Sequence, residues 1–154
     1  MATFRVCFPG FSPAEMAWCL ENWSSGIRVL RQRGEMVGFS MINPVHGPAT
    51  AWLEMIAVLP QHQGRGMGRQ ILQDYEWFAS QLGYPRVQLA VSADNRPAVV
   101  LYEKTGYEVL GLRDGRLIMS KSIKAAGNPD PGVRTPGLSK RVFFALLRRM
   151  LVPV

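Results

Sequence analysis

The sequence predicts an α/β fold: a mixed, twisted β-sheet flanked by helices, with a C-terminal linker and amphipathic helix appended. Three observations carry this. An apolar run over residues 52–59 stops at Pro60 and leads through a glycine-rich loop into a helical pattern. A second apolar run, residues 85–92, follows that helix, so the two strands can lie parallel and adjacent with their carboxyl ends on one side. Hairpin signals flank the pair, Gln32-Arg33-Gly34-Glu35 before it and Asp114-Gly115 after it.

Taken in order, residues 3–8 alternate as a first strand that Pro9-Gly10 ends. Ser12-Pro13-Ala14-Glu15 is a capping box with proline at the first helical position, which predicts a helix to about Glu21 or Asn22. Residues 27–31 and 36–42 are short strand-like runs around the first hairpin signal. Asn43-Pro44-Val45-His46-Gly47-Pro48 is a turn-rich link, and its lone histidine reads as solvated. The run over 52–59 has the residue types of a buried strand, and Pro60, lacking an N–H, cannot extend a ladder. Met67, Ile71, Leu72, Tyr75, Ala79 and Leu82 then recur at helical spacing, and Gly83 closes the helix. After the second buried strand, Asn95 is a good N-cap, Pro97 fits a first turn and Gly106 is a stop, so a short, well-bounded helix is expected. Residues 107–113 and 116–123 close as a hairpin around Asp114-Gly115.

Composition narrows the possibilities. A chain of 154 residues, 47% of them apolar, has room for one domain with a sizeable core and argues against wholesale disorder. Cys7 and Cys19 have neither metal-ligand spacing nor a disulfide framework and read as small buried thiols in a reducing compartment. There is no secretory signal and no apolar run of membrane-spanning length, so a cytoplasmic protein is the expectation. The net charge of +7 is uneven: residues 1–123 carry 12 Lys and Arg against 10 Asp and Glu, whereas residues 124–154 carry 6 against 1. Basicity therefore belongs to the tail, and no nucleic-acid partner is expected, because a phosphate-tracking surface needs its cations on the domain face.

Strand, glycine loop and helix start together make an anion site. The loop backbone can approach a ligand unobstructed, the first helical N–H groups lack internal partners, and Arg65 and Arg69 add charge, so a phosphate or pyrophosphate is the expected guest. A P-loop is excluded because no lysine follows the second glycine, and a dinucleotide fingerprint fails because Arg69 stands where its third glycine belongs. What the loop does match is Gln/Arg-x-x-Gly-x-Gly/Ala, as Gln63-Gly64-Arg65-Gly66-Met67-Gly68, after a strand ending Val58-Leu59-Pro60. A second pattern follows in order and spacing: Asn95, then Ala98, then Leu101-Tyr102-Glu103-Lys104-Thr105-Gly106-Tyr107. With both motifs present, residues 1–123 resemble the GNAT superfamily of N-acetyltransferases, whose glycine loop holds the pyrophosphate of acetyl-CoA.

The resemblance implies that Gln63, Gly64, Arg65, Gly66, Met67, Gly68 and Arg69 form the pyrophosphate cradle. It also implies that pantetheine lies between the parallel strands, bonded like an extra strand to backbone groups near Ile56, Ala57 and Val58, with an N–H near Ile56 or Val58 meeting the thioester oxygen. Asn95 and Tyr102, about two turns apart, share a helical face that can look back at the coenzyme.

Acyl transfer from a thioester to an amine needs a neutral amine, a polarised carbonyl and a proton for the departing thiolate. Tyr102 is the candidate acid, because a phenol of pKa about 10 stays protonated at neutral pH and can donate to a thiolate of pKa about 8.5. Its other reading is a core aromatic. Glu54 is the candidate base: it is the one acid inside the organising apolar run, where a carboxylate is costly unless paired or functional. Alternatively it turns outward to meet an arginine. Some relatives place a glutamate on the next strand, but this chain has Ala90 there, so that route to a base is absent. His62, inside the loop, reads as positional rather than catalytic.

Two function classes follow. One is an acetyl-CoA-dependent N-acetyltransferase acting on a primary amine of a small molecule or protein. The other is an acyl-CoA-binding regulatory module with little turnover that controls a partner, supported by an opening region that is short for the resembled type and leaves the acceptor side open or completed by a partner subunit. The acceptor itself is chosen by the least patterned stretch, residues 11–47. Beyond the domain, residues 124–137 form a Pro- and Gly-rich linker. Residues 138–154 form a basic amphipathic helix, with Phe143, Leu146, Leu147 and Met150 on one face and Arg141 and Arg148 on the other. That helix is expected to pack on the domain, to join a homodimer or to touch an anionic membrane surface.

Overall fold

A computed structural model describes residues 26–43 and 49–126. The predicted first strand, the capped helix after it, the link bearing His46, both cysteines and the C-terminal helix lie outside the described residues.

The first hairpin joins β1 (Ile27–Gln32) to β2 (Glu35–Asn43), with Gln32 opposite Glu35. The turn is therefore two residues long, tighter than the four-residue separation read from the sequence. Arg33 (φ 50°) and Gly34 (φ 81°) both adopt left-handed backbone, the twist that continues two right-handed strands without splaying them. Strand β3 (Ala51–Val58) pairs antiparallel with β2 on one edge. Its last ladder-like bond is Leu59 N–H to Val37 O at 2.8 Å, and Pro60 then starts a single 3-10 turn, Pro60–His62. Helix α1 (Met67–Gln81) begins after Gly66 and ends at Gly83, whose φ is 86°. Next come β4 (Arg86–Ser92), helix α2 (Arg96–Lys104), and the hairpin of β5 (Glu108–Arg113) with β6 (Arg116–Ser122). Asp114 (φ 50°) and Gly115 (φ 73°) repeat the left-handed pair of the first turn.

These strands make one six-stranded sheet in the order β1-β2-β3-β4-β6-β5. Only β3 and β4 run parallel, as expected of strands joined through a helix. Burial alternates along β3, and its inward residues Ala51 and Leu53 meet Leu72, Tyr75, Phe78 and Ala79 of α1. Val87, Leu89 and Val91 of β4, Val99 and Tyr102 of α2 and Met119 of β6 complete that core, so both helices cover one face of the sheet. Each fully buried side chain of this size contributes about 1.5–3 kcal/mol. At Gly38 the packing leaves no space for a side chain, since a Cβ there would collide with the Ala57 carbonyl and the Ile71 side chain.

Two polar ties flank α1. Arg28 of β1 donates to both oxygens of Asp74 at 2.6 and 2.8 Å, and its guanidinium lies over the Phe78 ring at 4.8 Å. Lys121 of β6 meets Glu76 at 2.7 Å on the other side. The helix is thus fixed to strands on both sides of the β3–β4 junction, which sets the position of its N-terminus. After β6 the chain turns back on the domain: the N–H groups of Ile123 and Ala126 donate to Pro85 and Ser80 carbonyls at 2.9 and 3.0 Å.

Candidate active site

The parallel pairing is short. Ala51, Trp52 and Leu53 lie opposite Val87, Gln88 and Leu89, and beyond Leu53 the strands separate. From Glu54 to Val58, β3 keeps β2 on one edge and, among the described residues, has no strand on the other, while Ala90, Val91 and Ser92 keep β6 and lose β3. Two rows of backbone N–H and C=O groups therefore face one another across a gap, along about 17 Å of β3. Buried backbone groups need partners. A guest that runs along this gap can supply them.

The gap opens into a cleft of about 500 Å³, in the range of small-molecule sites. Of the predicted residues, Glu54, Ile56, Ala57 and Val58 line it from β3, and Gln63, Gly64, Gly66, Met67, Gly68 and Arg69 line it from the loop and the start of α1. Asn95 and Tyr102 line it from α2. Arg65 is the exception: it is exposed and outside the lining.

The loop is built for close backbone approach. Gly64 (φ 71°) and Gly66 (φ 77°) are left-handed, and a Cβ at either would meet nothing within 4 Å, so backbone conformation rather than space demands glycine. Gly66 is the N-cap of α1 and offers no side-chain acceptor, so the first N–H groups of the helix are left without an intrahelical partner. Gln63 has a different part from its neighbours: its Nε2 donates to the Val58 carbonyl at 3.0 Å, tying the loop to the end of β3. His62 lies in the 3-10 turn with a buried Nε2 that has no hydrogen-bond partner among the described residues.

On the far wall, Asn95 caps α2, its Oδ1 accepting from Ala98 N–H at 3.3 Å. Tyr102 is 5% exposed and its ring meets that of Tyr107 edge-on, with centroids 5.5 Å apart. Tyr102 is thus a core aromatic that also lines the cleft. The Tyr107 hydroxyl is buried beside Glu76, and burial first, then that carboxylate, push its phenol far above the ordinary tyrosine range. Tyr75, also fully buried, is pushed up by burial, Tyr84 and Glu54.

Glu54 is half-buried at the cleft, and its Oε2 accepts from Asn43 Nδ2 at 3.0 Å. The partner is a neutral amide, and among the described residues the carboxylate makes no ion pair. Among the described residues no arginine pairs with it.

Sequence reasoning missed Arg116, which lines the cleft from the start of β6 opposite Ser92. The signal was the Asp114-Gly115 turn, which fixes where β6 begins, but only the β4–β6 pairing brings that position to the site. Pro97, Ala98 and Leu101 also line the cleft. They lie on the helical face the motif already marked.

A sequence profile of the Acetyltransferase (GNAT) family matches residues 1–107. The chain belongs to the GNAT acetyltransferase family. Among curated proteins, a mycothiol acetyltransferase of Pseudarthrobacter chlorophenolicus is 35% identical over 78 residues, covering 48% of this chain and 24% of that protein. The uncharacterized N-acetyltransferase YdgE of Bacillus subtilis is 30% identical over 87 residues, covering 55% of each. The chain thus spans about a quarter to about half the length of these relatives. Among solved structures, the ribosomal-protein-S18-alanine N-acetyltransferase of Escherichia coli aligns with a TM-score of 0.61 at 27% identity, over 82% of this chain and 88% of that one. A GNAT family acetyltransferase of Elizabethkingia anophelis with acetyl-CoA bound aligns with a TM-score of 0.65 at 18% identity, over 78% and 88%. That second likeness is one of fold. GNAT membership agrees with the mixed sheet and with the two motifs read from the sequence.

Proposed function

We propose that this GNAT protein is an acetyl-CoA-dependent N-acetyltransferase that moves an acetyl group to a primary amine of a small molecule or protein by direct attack on the thioester. One observation carries the proposal: the unpaired edges of β3 and β4 converge on the glycine loop and the bare N-terminus of α1, with Tyr102 in the facing wall. A ligand with a peptide-like arm and a diphosphate fits both parts, the arm taking the place of a strand and the diphosphate meeting helix N–H groups.

Acetyl-CoA supplies an activated acyl group as its thioester. Backbone groups of Ile56, Ala57 and Val58 would hold the pantetheine arm and polarise the carbonyl, and those of Gly64 to Arg69 would hold the diphosphate, with Arg69 adding charge. Arg65, exposed at the loop tip, would act on the diphosphate only from outside the cleft. Asn95 holds the turn that presents Tyr102. Tyr102 would donate its proton to the departing thiolate, and Glu54 would take one from the amine, directly or through water. That Glu54 makes no ion pair among the described residues supports that role.

The acceptor class rests on the relatives. One is named for mycothiol and another for an alanine of ribosomal protein S18, a small molecule and a protein. The test is calorimetric titration with coenzyme A followed by thiol release from acetyl-CoA across a panel of amines and peptides. Binding together with acceptor-dependent release supports the enzyme. Binding with no acceleration by any acceptor would leave an acyl-CoA-sensing module instead, and no binding would end both readings.

A further inference from the structure

We infer that Arg116 binds a carboxylate on the acceptor, so that the chain acetylates a small amine whose other end is a carboxylic acid. The inference rests on the acetyltransferase reading of the cleft and adds to it the chemical class of the acceptor. Among the described residues, three charged side chains line the cleft: Glu54, Arg69 and Arg116. Arg69 lies in the first turn of α1, beside the N–H groups that suit a diphosphate. That leaves one anion and one cation, and both belong to the other face of the sheet.

Strand register places them there. Leu89, Val91 and Met119 belong to the core under the helices, and Leu117 packs against it. Side chains alternate along a strand, so Ala90, Ser92, Arg116 and Ile118 take the face away from α1 and α2. On β3, Leu53 lies opposite Ile42 with both in the core, and Glu54 is the residue that the β2–β3 register skips. Its carboxylate is turned to Asn43, whose neighbour across the ladder is Trp52, and so it too belongs to the far face. Glu54 is level with Ala90, and Arg116 is opposite Ser92. Their backbones therefore stand about 7 Å apart along the strands and about 10 Å or more across them. Between them on β4 are Ala90 and Ser92, both small, so a compact guest can touch both charged groups.

The two charges suit the two ends of one molecule. An amine arrives as its ammonium, attracted by Glu54, and an anion at the far end of the same molecule meets Arg116. The planar fork of N–H donors on arginine matches the two oxygens of a carboxylate, and the Ser92 hydroxyl stands across the ladder on the same face. Arg113 lies directly opposite Arg116 on β5, a like-charge pairing that a bound anion relieves. Arg113 is outside the lining, so the guest meets a single guanidinium, which balances the single charge of a carboxylate rather than the double charge of a phosphate. In the transfer the amine nitrogen bonds the acetyl carbon as the carbon–sulfur bond breaks, and the carboxylate is untouched. The ammonium sheds two protons in all: one goes to Glu54 and on to water, and the other replaces the proton that Tyr102 gives the thiolate.

Thiol release from acetyl-CoA by the full chain tests it, with straight-chain amino acids of rising length whose amine is at the far end. Each is run beside its amide, its phosphonate and the diamine of the same length. At one length the amino acid should exceed its amide about tenfold or more in kcat/KM, and the difference should lie in KM. Arg116→Gln should bring that ratio near one, and Arg116→Glu should turn the preference to the diamine. Calorimetry should give both variants the parent's affinity for coenzyme A. Equal use of acid and amide by the parent, or a phosphonate preferred to the acid, overturns the inference and leaves the acetyltransferase reading standing. That comparison needs no variant, so a substitution that fails to fold does not shield the inference. Weaker coenzyme A binding by a folded Arg116→Gln assigns the arginine to the coenzyme and overturns it too. Release with other amines but none in this series overturns the inference alone, whereas release with no acceptor at all removes the reading it rests on as well.

Discussion

Tyr102 has a packing role and a proposed catalytic one, and they can be separated by one atom. Its ring packs edge-on against Tyr107 within the core, while its hydroxyl is the proposed proton source. Tyr102→Phe keeps the ring, so melting should barely move while kcat falls about a hundredfold or more and coenzyme affinity stays near the parent value. Unchanged kcat would remove the acid assignment. Glu54→Gln asks the corresponding question of the base. Glutamine can still accept from Asn43 Nδ2, so the local bond survives and the carboxylate alone is lost. At neutral pH the rate should drop, and it should recover as pH rises, because solvent then supplies the neutral amine that Glu54 would otherwise generate. A deficit that is flat with pH would point to a positional part for Glu54. The candidate pair was legible in the sequence because each residue broke a local pattern, an acid in an apolar strand and a phenol in a spaced motif. Arg116 was not legible, since nothing in its neighbourhood marks it and only strand register carries it to the cleft.

At the scale of elements, boundaries were the most readable feature. Pro60, Gly83, Asn95 and the Asp114-Gly115 turn each stop or start an element for a stated steric or hydrogen-bonding reason, and β3, α1, α2 and the β5–β6 hairpin fall where they say. The glycine loop can be tested in the same terms. Gly66 is left-handed, so Gly66→Ala should cost about 1–2 kcal/mol in urea denaturation and weaken coenzyme A binding by displacing the α1 N-terminus. Gly68 has no such backbone demand, and a Cβ there makes ordinary contacts with the Leu101 side chain at 3.4 Å and the Val58 side chain at 3.9 Å. Gly68→Ala should therefore leave stability unchanged or raise it, since alanine is the better helix former. Equal losses at both positions would show that crowding, not backbone conformation, governs the loop. What no local pattern revealed is that β3 and β4 part after Leu53: adjacency follows from a helical crossover, but the point of divergence depends on how two sheet halves twist about α1.

For the whole molecule, the buried tyrosines set the alkaline limit. Tyr75 and Tyr107 have phenols held well above their ordinary range by burial, with neighbouring groups adding to it. Below about pH 10 both are neutral in the folded and unfolded chain and cost nothing. Above it the unfolded chain loses those protons and the folded one keeps them, so stability should fall by about 1.4 kcal/mol per pH unit for each. Denaturation curves at rising pH should show this decline, and Tyr107→Phe should make it shallower. A final consequence lies in the three residue pairs that join β3 to β4. Alternate amides of a strand point to opposite edges, so between Glu54 and Val58 every second proton is bonded to β2 and the rest look into the cleft. Deuterium uptake along that segment should be a comb, slow and fast by turns. When coenzyme A is added, the fast teeth should become slow while the slow ones stay as they were.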